Sequence, residues 1–142
     1  MSAWICLALA HNKIGHLYAI DDYSGEYVSD ATASSKAIFL SSLTAAGLEK
    51  YATLLIGRSA DVVWPRAIDI GVLDGSHDRD VVKFEISKLV QHGARCIMLH
   101  DIESHEGCRH SWDEFKQSHP DWHQLELGYS CGFGIAVEPT LP

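Results

Sequence analysis

The sequence predicts an α/β fold in which a mostly parallel sheet is covered by helices and ends in an antiparallel hairpin. Short apolar segments that stop abruptly at Asp, His or Gly alternate with segments of helical periodicity. Near the C-terminus, two strand-like segments are separated only by a short Ser-Cys-Gly turn. At 142 residues, close to the usual size of about 150 residues for one domain, the chain is expected to form a single domain over residues 1–142.

The predicted parallel strands are short apolar runs typical of buried strands. Each run is followed by a polar residue or glycine that ends it. They cover residues 16–20, 53–56, 68–73 and 96–99, and the hairpin strands cover 122–129 and 133–137.

The predicted helices combine an apolar face with start and stop signals. Asp30 caps a helix that runs to about residue 46 and ends at Gly47, and Asp78 caps a second helix that ends at Gly93. A third helix covers residues 107–118 and is stopped by Pro120. The apolar faces comprise Phe39, Leu43 and Ala46 in the first helix, Val82, Ile86 and Leu89 in the second, and Trp112 and Phe115 in the third.

Composition excludes several classes of partner. The chain has 11 Lys and Arg residues against 19 Asp and Glu residues, a net charge of −8, and no basic cluster. We therefore expect neither nucleic acid nor an anionic membrane as a partner. The apolar N-terminal segment is too short to span a bilayer and lacks a basic leader, and the four cysteines form no CxxC pair. A cytoplasmic protein without a disulfide framework is expected.

Polar clusters follow the predicted parallel strands, and the carboxyl ends of such strands meet at one edge of a sheet, where ligands bind. The clusters are Asp21 and Asp22, residues 57–59, residues 74–77, and His100 with Asp101. We expect a binding site that is built from these clusters.

Each cluster has a chemical interpretation and a structural alternative. Asp21 is placed to accept hydrogen bonds from a ribose diol, although an Asp in this position is more often a cap or a turn former. Asp74 and Asp101 offer oxygen ligands for Mg²⁺, Mn²⁺ or Ca²⁺, and His100 or His77 would shift the preference toward transition metals. As an alternative, both acids are only a cap and a turn residue.

Histidine is unusually frequent, with nine residues. His77 is a candidate general base, because an ordinary histidine titrates near pH 6.5. We interpret the later histidines (His105, His110, His119 and His123) as solvated, with His105 or His110 as the alternative candidates for the mouth of the site. Trp64, Trp112 and Trp122 are predicted to be core residues, as are Cys6, Cys96 and Cys131.

Six segments in order resemble the class I S-adenosylmethionine-dependent methyltransferases, specifically the small-molecule O-methyltransferase-like branch. Residues 15–21 resemble the second strand with its ribose-binding acid, and residues 56–60 resemble the turn beside the adenine. Residues 73–77 and 98–102 are similar to the ends of the fourth and fifth strands. Residues 107–115 and 132–137 are similar to the following helix and the last strand. The resemblance implies a Rossmann-like methyltransferase sheet.

The resemblance also implies roles for individual residues. Asp21, Asp22, Arg58, Ser59 and Asp74 would contact S-adenosylmethionine. Asp74, His100 and Asp101 would hold Mg²⁺ or another divalent cation that orients a hydroxyl of a small-molecule substrate. His77 would be the catalytic residue beside the acceptor oxygen.

One departure from the family concerns the N-terminus. Residues 1–7 resemble the helix that follows the Gly-rich loop of the family, so the first, central strand and that loop are missing. The chain would be N-terminally truncated, completed by another chain, or unable to bind the cofactor. An open sheet edge is unfavourable. We therefore expect residues 16–20 to pair directly with residues 68–73, or an intermolecular contact to cover the gap in a homo-oligomer.

Three functional hypotheses remain open. The first is methyl transfer to a hydroxyl of a small molecule. The second is a non-catalytic remnant or subunit with the same fold that acts through assembly or weak binding of an adenosine ligand. The third is a metal-dependent hydrolase that uses Asp74, His77, His100 and Asp101.

Overall fold

The computed structural model describes residues 2–23 and 35–139. By their contacts they divide into two compact units, Met1–Val63 and Trp64–Pro142. The single-domain organisation stays a prediction. The proposed cap at Asp30 lies outside the described residues.

In its described residues, 2–23 and 35–63, the first unit contains two α-helices and a two-stranded parallel sheet. Its elements are α1 (Ser2–Asn12), β1 (Leu17–Asp21), α2 (Ser35–Ala46) and β2 (Ala52–Ile56), with a 3₁₀ turn at Glu49–Tyr51 before β2. β1 and β2 are parallel with Asp21 opposite Ile56. Both predicted strands are confirmed.

The core of this unit is small. Cys6, Leu43 and Leu48 are its buried apolar residues in the described part of the chain. α2 ends in a Schellman motif, in which Leu48 N–H donates to Leu43 O at 2.9 Å, and Gly47 takes a φ of +64°. Ala46 was predicted to share the apolar face but is exposed. The turn at Gly47 makes Leu48, rather than Ala46, the next buried residue after Leu43.

The second unit carries a four-stranded mixed sheet. Its elements are β3 (Ile70–Leu73), α3 (Arg79–Gln91), β4 (Cys96–His100), α4 (Glu106–Ser118), β5 (His123–Leu127) and β6 (Phe133–Val137). The strand order is β3-β4-β6-β5. β3 and β4 are parallel, whereas β6 is antiparallel to both β4 and β5. The predicted C-terminal hairpin at the sheet edge is confirmed.

The helices of the second unit begin differently. The Asp78 carboxylate caps α3 by accepting from Asp80 N and Val81 N at 2.9 and 3.1 Å, as predicted. α4 has His105 at the N-cap, whose side chain makes no capping hydrogen bond. Gly93 ends α3 with a φ of +82°.

The core of the second unit lies between its helices and the sheet. It contains the predicted faces of α3 (Val82, Ile86 and Leu89) and α4 (Trp112 and Phe115), together with Ile97, Leu99 and Ala136 among others. Trp112 is fully buried and lies directly on β6, because a Cβ on Gly134 would come within 2.6 Å of the indole. Trp122 is also buried and Trp64 packs against this core, as predicted.

The predicted direct pairing of residues 16–20 with residues 68–73 is wrong. In the described residues β1 pairs only with β2, and β3 pairs only with β4. Each pair consists of consecutive parallel strands joined by a helical crossover, which is the ordinary way to connect parallel neighbours. Among the helices the structure describes, none is long and apolar enough to cross a membrane.

Candidate functional site at the strand ends

A tightly held loop follows β4. Asp101 has a φ of +65°, a conformation that Asp tolerates better than most residues. Its N–H donates to Gly132 O at 3.0 Å, and its backbone carbonyl accepts from His105 N at 3.0 Å. The Ser104 hydroxyl donates to Asp101 Oδ1 at 3.0 Å. Hydrogen bonds of its backbone and of its carboxylate therefore hold Asp101 in place.

Arg109 on α4 holds the same loop from the other side. Its Nε donates to Ile102 O at 2.8 Å, and its guanidinium also contacts Glu103 and, at 2.9 Å, Glu126 Oε2 of β5. Hydrogen bonds from Lys116 and Arg109, with a further one from Trp112, lower the pKa of Glu126 to about 2. The loop, α4 and β5 are thus joined by one charged network.

Asp74, His100 and Asp101 form a group with cation-binding geometry. His100 Nδ1 lies 2.9 Å from Asp74 Oδ1 and 3.2 Å from Asp101 Oδ2. One ligand atom from each residue lies within 4.8 Å of the other two. His100 Nδ1 is buried, yet it makes no hydrogen bond. Because these distances are short, the missing bond reflects ring orientation: the in-plane direction of Nδ1 points at neither oxygen.

The parallel register explains why these residues meet. Leu73 of β3 pairs with Leu99 of β4, so the next residues along each strand, Asp74 and His100, come level at the carboxyl end of the sheet. Asp101 follows directly, and its side chain is only 13% exposed.

His77 belongs to the same site. Its Nε2 lies 2.8 Å from Asp101 Oδ2. Burial alone would raise the pKa of Asp101, but hydrogen bonds from Ser104 and His77 and the nearby His100 lower it below its ordinary value. Asp101 is therefore a charged acceptor that orients the His77 imidazole.

His105 lies beside His77, although the sequence favoured a solvated residue and offered His105 only as an alternative candidate for the mouth of the site. It is exposed, but its ring stacks on His77 with centroids 3.6 Å apart and an interplanar angle of 10°. His77, Asp101 and His105 form a second group whose ligand atoms all lie within 4.8 Å of one another. His110 belongs to neither group and lies 3.7 Å from Glu106 on the surface of α4. A histidine at a helix N-cap, where Ser or Asp is usual, was the available signal.

The predicted cofactor residues of the first unit lie at the carboxyl ends of β1 and β2. Asp21 is exposed, and its Oδ1 accepts from Tyr23 N at 2.7 Å. Gly57 N donates to Asp21 O at 3.1 Å, which ties the two strand ends together. Arg58 lies 3.9 Å from the Asp22 carboxylate, and Ser59 follows it in the same turn.

A groove of about 390 Å³ lies elsewhere in the second unit, between α3 and α4. Apolar and polar side chains line it, including Ile86, Phe115, Lys83 and Glu114, and none of the strand-end groups does. The strand ends, which gather acids and imidazoles, are the better candidate for chemistry.

The strand-end residues of the second unit combine two capabilities. Two carboxylates and an imidazole can coordinate a divalent cation, and a carboxylate-oriented imidazole can accept a proton. The site is therefore suited to deprotonating a hydroxyl close to a bound cation.

Comparisons with known proteins identify the family and the fold of the chain. A family model described as a methyltransferase domain matches residues 1–102. No curated protein sequence matches the chain. Solved structures share the fold at low sequence identity, which identifies a Rossmann-like methyltransferase fold.

Three of these structures illustrate the likeness. A protein from Corynebacterium glutamicum has a TM-score of 0.63 at 15% identity, with 89% of this chain and 62% of that one covered. An O-methyltransferase from Bacillus cereus in complex with S-adenosylhomocysteine has a TM-score of 0.60 at 15% identity, with 96% and 80% covered. A methyltransferase from Podospora anserina bound to the same ligand has a TM-score of 0.57 at 16% identity, with 95% and 76% covered. The chain thus spans 62–80% of the length of these proteins.

Proposed function

The chain belongs to a family of methyltransferase domains, and on that premise we propose that it transfers a methyl group from S-adenosylmethionine to a hydroxyl of a small molecule, assisted by a divalent cation. The observation that carries this proposal is the cluster at the carboxyl ends of β3 and β4. There, His77 lies 2.8 Å from Asp101, which also belongs to a group with cation-binding geometry.

The residues of the first unit suit a nucleoside cofactor. Asp21 is an exposed carboxylate at a strand end, where a ribose diol can donate to it, and Asp22, Arg58 and Ser59 offer further polar contacts. Asp74, at the end of β3, stays a predicted cofactor contact. When bound, S-adenosylmethionine would supply an electrophilic methyl group on a sulfonium.

The Asp74, His100 and Asp101 group fits a cation. His100 Nδ1 is a buried nitrogen with no hydrogen bond, and carboxylate oxygens of Asp74 and Asp101 lie 2.9 and 3.2 Å from it, so three possible ligand atoms lie close together. A bound Mg²⁺ or other divalent ion would polarise the substrate hydroxyl and lower its pKa.

His77 is the proposed catalytic base. With a proton on Nε2 donated to Asp101, the lone pair of the ring is on Nδ1, which can accept the proton of the substrate hydroxyl. The charge on Asp101 then stabilises the imidazolium that forms. The arrangement resembles the carboxylate–imidazole pairs that orient general bases in other enzymes.

The cellular location and the oligomeric state are also proposals. The four cysteines are free, which suits a reducing cytoplasm. In the described residues β1 and β3 each have a ladder on one side only, which favours a homo-oligomer that covers such edges. Light scattering that finds a stable monomer would count against this assembly.

The direct test of cofactor binding is calorimetry with S-adenosylhomocysteine. We expect wild-type protein to bind it and Asp21→Ala to weaken binding by about 1–3 kcal/mol, since the ribose hydroxyls lose their acceptor. Glu49→Ala is the matched control, because Glu49 is an exposed acid beside the opposite end of β2. Absence of binding to the wild type would favour the non-catalytic alternative.

The cation is tested in the same protein by calorimetry with Mg²⁺ and Mn²⁺. Asp74→Asn should weaken binding at least tenfold because it removes a charged ligand. Asp69→Asn is the control, since Asp69 is an exposed acid that precedes β3 at the other end of the sheet. Equal affinities of the two variants would show that Asp74 has only a structural role.

A further inference from the structure

We propose that His77, His105 and Asp101 form a second cation position, selective for a borderline transition-metal ion such as Zn²⁺, beside the oxygen-rich Asp74 group and sharing Asp101 with it. The site goes beyond methyl transfer. It gives His77 two alternative states, one that accepts a proton and one that is bound to a metal.

The geometry brings three donors close together. Ligand atoms of the three residues all lie within 4.8 Å of one another, and His77 Nε2 is already 2.8 Å from Asp101 Oδ2. Two nitrogens that each lie 2.0–2.1 Å from a zinc ion are at most about 4.2 Å apart, and the in-plane lone pair of each imidazole must point at the ion. The two rings are stacked in parallel, so the exposed His105 ring would turn out of the stack to complete the site. The His77 side chain is 27% exposed and His105 is exposed, which leaves a path for the ion.

The donor set determines the kind of ion. Two imidazoles and one carboxylate are typical ligands of zinc and other first-row transition metals, and a fourth position would remain for water or another ligand. The neighbouring group has the opposite balance, with two carboxylates and one imidazole, and the hard ions Mg²⁺ and Ca²⁺ prefer oxygen. The two positions therefore differ in selectivity although they share Asp101.

The position of His105 supports this role independently. His105 is the N-cap of α4 but its side chain makes no capping hydrogen bond, whereas Ser or Asp at this place would stabilise the helix. Its ring is instead stacked on His77. The close approach depends on Gly107, since a Cβ there would come within 2.1 Å of the His77 carbonyl oxygen. Residue 105 therefore does not cap the helix and instead places a second imidazole against His77.

The consequence for activity rests on the proposed function. A metal ion that coordinates His77 occupies a nitrogen of the ring and draws Asp101 away from its role as orienting acceptor. Zn²⁺ should therefore inhibit methyl transfer, whereas Mg²⁺ at the oxygen-rich group assists it.

The test is Zn²⁺ binding to the full chain, measured by competition with a chromogenic zinc chelator. His105→Ser is the informative variant, because serine is a good N-cap and protects the fold while it removes the imidazole. His110→Ser is the matched control on the surface of the same helix. Asp74→Asn disables the oxygen-rich group and leaves the His77 group intact.

We expect His105→Ser to weaken Zn²⁺ binding at least tenfold, and Asp74→Asn and His110→Ser to retain it. Zinc affinity that survives His105→Ser, or that falls equally in Asp74→Asn or His110→Ser, would overturn the proposal. If methyl transfer is measurable, His105→Ser should also resist zinc inhibition. The binding measurement decides the site even if the protein methylates nothing, so the two proposals fail separately.

Discussion

Glu126 should be the most sensitive charged position in the second unit. Its carboxylate accepts from Trp112 Nε1 at 2.9 Å and from Arg109 at 2.9 Å, and it also pairs with Lys116. Glu126→Gln keeps the size of the side chain and removes the charge, so it isolates the electrostatic part of this network.

The magnitude follows from the lowered pKa. A fall from 4.5 to about 2 would correspond to about 3 kcal/mol for a fully shielded group. Because the side chain is 32% exposed, solvent screening reduces this, and we expect Glu126→Gln to lower the free energy of unfolding by about 1.5 kcal/mol at pH 7.

The lowered pKa of Glu126 also determines how the stability changes with pH. The pKa is lower in the folded state, so the stabilisation is fully present above the ordinary value of 4.5 and is lost as the pH falls to about 2. Wild type and Glu126→Gln should differ at pH 7 and converge toward pH 2.

Urea unfolding followed by circular dichroism between pH 2 and 7 measures both effects. Glu138→Gln is the control, because Glu138 is half exposed and pairs only loosely with Arg95 at 3.6 Å, so it should cost less than about 0.5 kcal/mol. A Glu126→Gln deficit that stays constant with pH, or that equals the control, would refute the electrostatic explanation.

Two further predictions concern residues beside the site. Gly107→Ala should displace the loop that carries His77 and lower the melting temperature, because its Cβ would lie only 2.1 Å from the His77 carbonyl oxygen. Gly75→Ala is the control, since a Cβ at Gly75, in the loop that carries His77, would meet nothing within 4 Å. Thermal unfolding of both variants measures the difference, and equal melting temperatures would contradict the prediction. Burial, followed by the charges of Asp101 and Glu85, raises the pKa of the Cys108 thiol to about 11, so iodoacetamide at pH 8 should label Cys108 slowly in native protein and promptly in urea, as followed by mass spectrometry. Rapid native labelling would show that α4 opens readily.

Local signals were sufficient for most elements of the fold. The parallel strands are apolar runs that end at Asp, His or Gly, and α3 begins at a capping aspartate and is followed by a glycine, all of which a sequence displays. Direct pairing of β1 with β3, one of the two predicted alternatives, is wrong because strand partners are decided by contacts far apart in the chain. In the described residues β1 and β3 each pair instead with the strand that follows the next crossover helix.

The site was only partly predictable for a similar reason. Asp74, His100 and Asp101 could be brought together from sequence because the carboxyl ends of parallel strands lie level, and the structure places them so; their roles stay predictions. His105 could not be placed, since its contact with His77 depends on the left-handed turn at Asp101 and on the missing side chain of Gly107. Neither feature is visible as a pattern of residue types.

The unequal cores of the two units have a consequence for their dynamics. In the described part of the chain, Cys6, Leu43 and Leu48 are the buried core of the first unit, whereas the core of the second unit extends over both of its helices and three of its strands. Backbone amides of the first unit should therefore exchange with deuterium through lower-energy local openings. A ligand that is held by Asp21 and lost on opening would raise the free energy of those openings by RT ln(1 + [L]/Kd). Cofactor recognition would then be visible as slower amide exchange in β1 and β2, even without catalytic turnover.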